Sequence, residues 1–535
     1  MTASPLDPSA RIVLRGGDVV DDRQHRRADV AVAGDRIAAV GDVPALPGDR
    51  VIDCTGRLIM PGFIDAHTHV DGLFADEAVQ RALLRQGITT AITGQDGVSY
   101  APGDGAYASE YFAAINGPHP GYRGGGVAEI LASADGASRL NTAYLIPAGT
   151  VRREVCGTSR EPAGAAQRAA MVALVEQGLR EGAVGLSTGL DYVPGIFASA
   201  EELTELCGPV ARAGGVYVSH MRGGYEAKSA EGIAEIIEIG RMSGAPVHVS
   251  HFHAAAGIVA AQLDALASAG VDASFDAYPY IRGCSLLTMP ILPPELSVLP
   301  VDAVVARISD PAERQRLRRD WFPRVELHAS LGPEWRTMIT LAHVPAPDYA
   351  WSPGLTLEAA AARAGVDAID FVLDVLAASR LEVNVVMAVR HERSIEELGR
   401  IFRLPGHMGG SDGIFIGAHP HPRARGAFAR YLAEFVRGAG TWTWSEAARH
   451  LSTAAAERFG LGRRGRVAEG WAADLVVVDP GAVADRATYD RPLDEAVGID
   501  DVLVAGRPVL VGGELAAGTP GRALRLDRSG FRRES

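Results

Sequence analysis

The run Pro61-Gly62-Phe63-Ile64-Asp65-Ala66-His67-Thr68-His69 places two histidines one residue apart at the end of an apolar segment. Side chains in a strand alternate with a period of two, so His67 and His69 face one side and both imidazoles can meet one ion. Two further histidines close apolar runs of the same kind. His220 ends Val216-Tyr217-Val218-Ser219-His220, and His251 ends Val247-His248-Val249-Ser250-His251. Four histidines that terminate three strands can form one metal cluster. His248, three residues before His251, is expected on the opposite side of its strand in a structural role. Two carboxylates complete the set. Asp412, in His407-Met408-Gly409-Gly410-Ser411-Asp412-Gly413, can bind metal, take a proton from an attacking water and return it to a leaving group. Asp96, in Thr93-Gly94-Gln95-Asp96-Gly97, reads by itself as an Asp-Gly turn, but its position lets a carboxylate bridge two metals.

The elements that must position these residues are short apolar strands alternating with helix-length stretches. Strands are expected at 63–69, 88–94, 141–147, 183–187, 215–220, 246–251, 271–278 and 407–412. Helices are expected at 76–85, 165–180, 199–213, 231–242 and 258–269. Eight strands alternating with helices favour a parallel (β/α)8 barrel, whose strand ends converge on one face, with a doubly wound sheet as the alternative. The long stretch between the seventh and eighth strands exceeds any βα loop and implies an inserted subdomain at about 286–345. Strand-rich segments at both ends, such as Ala473-Asp474-Leu475-Val476-Val477-Val478-Asp479, suggest a small β-sandwich built from both termini. The expected division is residues 1–60 and 465–535 for the sandwich and 61–464 for the barrel.

Composition narrows the partners. The 535 residues are 47% hydrophobic and 22% charged with 62 Gly and 31 Pro, which fits a large globular core and excludes a disordered or collagen-like chain. The net charge of −13 leaves no basic footprint for nucleic acid. Lys228 is the only lysine, so every lysine-dependent mechanism has a single candidate. The four cysteines, Cys54, Cys156, Cys207 and Cys284, form no C-x-x-C pair and neither a disulfide framework nor a cysteine-rich zinc site. No apolar run reaches about 18 residues, and residues 1–15 lack the apolar stretch of a signal peptide. A cytoplasmic protein with a small-molecule substrate and no nucleic-acid or membrane partner is expected; its oligomeric state is open.

The Pro-Gly-Phe-Ile-Asp-x-His-x-His opening, with His220, His251 and Asp412, resembles the amidohydrolase superfamily. The stretch Gly185-Leu186-Ser187-Thr188-Gly189-Leu190-Asp191-Tyr192-Val193-Pro194-Gly195, with Ser219-His220-Met221-Arg222, Tyr278-Pro279-Tyr280 and His421-Pro422-Arg423, narrows the resemblance to the N-acyl-D-amino-acid deacylases, or D-aminoacylases, over nearly the whole chain. The resemblance implies a zinc-bearing barrel with a tight site at His220 and His251, a weaker one at His67 and His69, and a catalytic aspartate at Asp412.

The departures from that family are specific. A cysteine that bridges the metals is implied where this chain has Asp96, and related enzymes use a carbamylated lysine on the fourth strand, which here ends at Ser187-Thr188. Asp96 is therefore the best remaining bridging ligand, for one or two ions. Exchanging thiolate for carboxylate moves the preference from zinc toward manganese or cobalt. A substrate-holding lysine is implied two residues after the second metal histidine, where this chain has His253. Arg423 matches the family's His-Pro-Arg and can grip a substrate carboxylate with its planar fork. Tyr280 matches a pocket tyrosine and can donate to a developing oxyanion, and Ser285 is a weaker substrate-binding candidate. The implied activity is metal-dependent hydrolysis of the linear amide of an N-acyl-D-amino acid. The alternatives are action on a cyclic amide or dipeptide, an acyl-transfer tailoring reaction, and a metal-binding protein that has lost catalysis.

Overall fold

The computed structural model describes residues 11–327, 331–390 and 392–529. At its centre are eight parallel strands: β1 (Phe63–Asp65), β2 (Ile88–Thr93), β3 (Asn141–Pro147), β4 (Gly185–Gly189), β5 (Val216–His220), β6 (Val247–Val249), β7 (Ala273–Ala277) and β8 (His407–Gly409). They are hydrogen-bonded in sequence order from β1 to β8. The sheet closes where Ala66 N donates to Gly409 O at 3.1 Å and Asp412 N donates to His67 O at 2.7 Å. Just above, Thr68–His69 pairs in parallel with Gly413–Ile414. The protein is thus a (β/α)8 barrel.

Helices surround the barrel where the apolar period of 3.6 predicts them, and the five expected helices begin and end within two residues of the observed ones. The helix Ala200–Ala213 shows why. Ser199 accepts a hydrogen bond from Glu202 N, Glu201 and Glu202 occupy the positive end of the helix dipole, and Gly214 stops the helix in a left-handed conformation. Its buried face carries Leu203, Leu206, Cys207 and Val210. The barrel interior is packed by Ile64, Ala66, Ile92, Ala143, Leu145, Val184, Val216, Val218 and Met408, with Phe459, Leu461 and Leu524 in the same cluster.

Both chain ends build the second layer. Leu475–Val478 runs antiparallel to Leu58–Pro61 in a seven-stranded sheet, and a four-stranded sheet from residues 12–53 faces it. Alternation divides the apolar residues of the larger sheet. Ile59, Leu475, Val477 and Leu503 enter the core between the sheets, whereas Leu58, Met60, Val476, Val478, Val502 and Val504 join the core shared with the barrel. A sheet buried on both faces needs apolar residues at every position, which accounts for the unbroken Leu-Val-Val-Val run.

The insertion is larger than expected. Gly283–Leu286, Ile339–His343 and Asn384–Met387 form an antiparallel sheet with Asn384–Met387 in the middle. Its helices share a separate apolar core around Ile291, Trp335 and Phe371, which runs to Val385 and so passes the expected end at 345. The central strand arrives last in sequence, so periodicity alone does not show where the unit ends.

One buried carboxylate joins the sandwich to the barrel. Asp474 accepts from Ala505 N at 2.7 Å and from Asn141 Nδ2 at the start of β3 at 3.1 Å, and it pairs with Arg464. Replacing it with alanine strands all three donors, and an uncompensated buried partner typically costs about 3 kcal/mol. Asp474→Ala is expected to lower the thermal midpoint by several degrees in scanning calorimetry, while Glu469→Ala, at an exposed position, has little effect.

Candidate metal centre

Strand β1 breaks at Ala66–His67 instead of running on to His69, and Thr68–His69 forms a second short strand. The imidazole centroids of His67 and His69 nevertheless lie 5.3 Å apart. Barrel closure brings the segment after β8 against this break. Asp412 Oδ1 lies 3.3 Å from His69 Nε2 and 3.8 Å from His67 Nε2.

Asp96 occupies the middle of the cluster. Its Oδ1 is 3.6 Å from both His67 Nε2 and His251 Nε2, and its Oδ2 is 3.6 Å from both His69 Nε2 and His220 Nδ1. The turn after β2 aims it there. Gly94 has φ +76°, and a Cβ at that position would sit 2.1 Å from Leu145 O, so only glycine fits. Gln95 Nε2 donates to Ala66 O at 2.8 Å, and Gly97 N donates to Ser187 Oγ at 3.1 Å. Asp96, His251 and Asp412 have φ of +55°, +32° and +47°, strained values for residues with side chains. These three side chains are aimed by turns that follow strands, rather than by strand alternation.

That geometry corrects the expectation for His248. His251 leaves β6 through its left-handed turn, so counting alternate residues along the strand does not relate the two side chains. His248 Nδ1 lies 2.8 Å from Ser274 Oγ and its Nε2 lies 3.0 Å from Asp276 Oδ1. The role of His248 is structural, as expected, but it acts beneath the cluster. Asp276 Oδ1 also lies 3.5 Å from His67 Nδ1, and its Oδ2 accepts from His251 N at 3.0 Å, so one carboxylate on β7 stands against three histidines. Asp191 Oδ2 lies 3.5 Å from His220 Nε2, and Asn116 Oδ1 lies 3.3 Å from His69 Nδ1. Sequence reasoning missed Asp276, Asp191 and Asn116. Asp276 and Asp191 had a signal, because each carboxylate lies at or just past the end of a barrel strand.

The expected substrate residues divide. Arg423 is fully buried, with Nη2 2.8 Å from Asp412 Oδ2 and its guanidinium 4.4 Å from the ring centroid of Tyr278. The His253 ring lies 4.1 Å from that of Tyr278. Tyr280 corrects its expectation. Its hydroxyl is 3.3 Å from Asp485 Oδ2 and its ring stacks against Arg430, so the phenol serves the contact with the C-terminal segment. Ser285 Oγ lies 3.3 Å from the hydroxyl of Tyr192, whose ring is 5.0 Å from that of His220. Two tyrosines flank the cluster: Tyr225, whose ring is 5.0 Å from that of His251 and whose hydroxyl donates to Ser250 O, and Tyr192, whose phenol is kept protonated by burial, reinforced by the charge of Asp96.

The donors fit a divalent metal. Within each of two groups, His67 with His69 and Asp96, and Asp96 with His220 and His251, the ligand atoms lie within 4.8 Å of one another. Both ring nitrogens of His67 and Oδ1 of Asp96 are buried without a hydrogen-bond partner. Polar atoms left bare in this way lose their hydration without return unless a ligand takes them. Burial pushes the Asp96 pKa up, but the charges of His67 and His220 outweigh it and hold the carboxyl well below its usual range. For His69, burial lowers the pKa, and hydrogen bonds to Asp412 and Asp96 prevail, raising it to about 10. For His220, burial is likewise overcome, chiefly by the charge of Asp96 and the bond to Asp191, and the pKa rises to about 10. The Asp412 carboxyl stays below its usual range because the charges of Arg423 and His251 overcome its burial.

An eight-stranded barrel with histidines and aspartates gathered at its strand ends is the architecture of a metal-dependent hydrolase. The family model described as the amidohydrolase family matches residues 50–510, and the chain belongs to that family. It is similar to an N-acyl-D-glutamate deacylase of Alcaligenes xylosoxydans xylosoxydans, with 34% identity over 532 residues and 97% of each chain covered. It is also similar to a D-aminoacylase of that organism, with 32% identity over 516 residues, covering 93% of this chain and 94% of the relative. Among solved structures, the N-acyl-D-glutamate deacylase from Bordetella bronchiseptica, complexed with zinc and a phosphonate mimic of the tetrahedral intermediate, matches with a TM-score of 0.80. The identity is 31%, and the match covers 96% of this chain and 99% of that one.

Metal ligation requires neutral imidazoles, whereas His69 and His220, with pKa raised to about 10, carry protons at pH 8 in the metal-free protein. Metal binding is therefore expected to release about two protons and to tighten as pH rises toward about 10. Isothermal titration calorimetry in buffers of different ionisation enthalpy checks the proton count.

Proposed function

We propose that the chain is a metal-dependent hydrolase that removes the acyl group from N-acyl-D-amino acids. The observation that carries this reading is the line from metal cluster to carboxylate grip: four histidines around Asp96, then Asp412, then the buried Arg423 on Asp412. The near full-length similarity to enzymes named for D-configured N-acyl amino acids supports the substrate class.

His67, His69, Asp96, His220, His251 and Asp412 would hold the metal, which when bound polarises the amide carbonyl and lowers the pKa of water. Asp412 accepts a proton from the attacking water as the new carbon–oxygen bond forms. It passes that proton to the amide nitrogen as the carbon–nitrogen bond breaks, giving a carboxylic acid and a free amine. Arg423 grips the α-carboxylate of the substrate. Tyr192 donates its hydroxyl proton in a hydrogen bond to the carbonyl oxygen as charge grows there, in the role first expected of Tyr280. The four cysteines are free thiols, which supports a reducing, cytoplasmic setting.

Asp412→Ala is expected to reduce turnover at least 100-fold on a panel of N-acetyl-D-amino acids, with the fold and most of the metal content kept. Near-normal turnover would remove the role assigned to Asp412. Hydrolysis of the L series in preference to the D series would remove the stereochemical assignment.

We further propose that His67, His69 and Asp96 would hold one divalent ion and Asp96, His220 and His251 another, and that the Asp96 carboxylate broadens metal choice beyond zinc. Asp96→Cys is expected to raise zinc content over manganese and cobalt when the apoprotein is offered equal concentrations of the three, as read by elemental analysis.

A further inference from the structure

A second buried arginine lies beyond His253. Arg393 belongs to the segment that leaves the inserted sheet after Asn384–Met387, and its side chain is 4% exposed. Its Nη1 pairs with Glu226, its Nη2 lies 3.4 Å from His253 Nδ1, and its Nε is buried without a hydrogen-bond partner. Arg423 shows the same signature, with Nε and Nη1 buried and unpartnered. Guanidinium N–H groups left bare in a protein interior await an acceptor, and a carboxylate is the acceptor whose geometry matches their fork. Between the two guanidiniums stand two rings, Tyr278 against Arg423 and His253 against both Tyr278 and Arg393. The arginines therefore suit two separate acceptors on one ligand better than one shared acceptor.

Building on the deacylase reading, we propose that Arg393 is a specificity-determining residue that binds a side-chain carboxylate of the substrate, so that the preferred substrates are N-acylated acidic D-amino acids. Glu226 makes the exchange balanced. It sits at φ +59°, with its side chain 33% exposed, so it can turn to solvent while the substrate carboxylate takes its place on Arg393. The number of charges buried beside Arg393 is then unchanged, and the desolvation penalty for a new lone anion is avoided. The guanidinium comes from the segment that joins the inserted sheet to the helix Ile395–Phe402, away from the residues gathered for metal.

The test measures kcat and KM of the metal-loaded enzyme on N-acetyl-D-glutamate, N-acetyl-D-aspartate and N-acetyl-D-leucine for the wild type, Arg393→Met, Arg393→Lys and Glu226→Gln. The wild type is expected to favour the acidic substrates at least 10-fold in kcat/KM. Arg393→Met should lower kcat/KM on the acidic substrates at least 30-fold, mainly through KM, and on N-acetyl-D-leucine by less than 5-fold. Arg393→Lys should recover part of the loss, and Glu226→Gln should lower KM for the acidic substrates. Competitive inhibition of the wild type by free D-glutamate but not D-leucine supports the proposal without any variant, and the reverse preference opposes it. Equal losses on all three substrates in Arg393→Met, or a wild type that favours leucine, would overturn the inference while leaving the deacylase reading intact. Absence of hydrolysis of every N-acetyl-D-amino acid would overturn the deacylase reading itself.

Discussion

Asp96 stands 3.6 Å from a nitrogen of each of four imidazoles, in a space shielded from solvent. Burying so many polar groups costs hydration, and the fold around them is organised to make them hold. The closure between β1 and β8 clamps His67 and Asp412 through one backbone hydrogen bond. Gly94 and the turn after it fix Asp96, and Asp276 stands against three histidines from β7. In the metal-free protein the protons on His69 and His220 pair with the carboxylates of Asp96 and Asp412, and a divalent cation would take the place of those protons among the same groups.

Much of this was legible in the sequence. His67, His69, His220, His251 and Asp412 were readable as candidates because apolar runs report roughly where strands end, although β1 breaks before His67 and left-handed turns aim His251 and Asp412. His248 and Asp276 show where such reading stops. No periodic pattern relates the side of His248 to that of His251 beyond the end of their strand, where a left-handed turn intervenes. Tyr280 matched a family pattern, yet the C-terminal segment supplies Asp485 as a partner, a contact across 205 positions that local sequence does not reveal. The inserted sheet outran its expected limit for the same reason, since its middle strand is the last to be made.

The scarcity of lysine takes on a chemical meaning at the substrate end of the site. An ammonium loses its proton readily when buried, whereas a guanidinium stays charged under any condition a protein survives. In the substrate role proposed for them, Arg423 and Arg393 would keep their charge over a wide pH range. Planarity adds direction, because a carboxylate must approach in the plane of the fork and thereby fixes the orientation of the substrate.

The seven-stranded sheet, in which Leu58–Pro61 is zipped against Leu475–Val478, carries a consequence for how the molecule comes into being. During synthesis the amino-terminal strands emerge first and wait through the making of the entire barrel for their central neighbour. Until it arrives, Leu58–Pro61 is an apolar edge with unpaired backbone groups, a surface that invites pairing with other nascent chains. Leu475–Val478 thus seals an edge that Leu58–Pro61 leaves open while the barrel is being made.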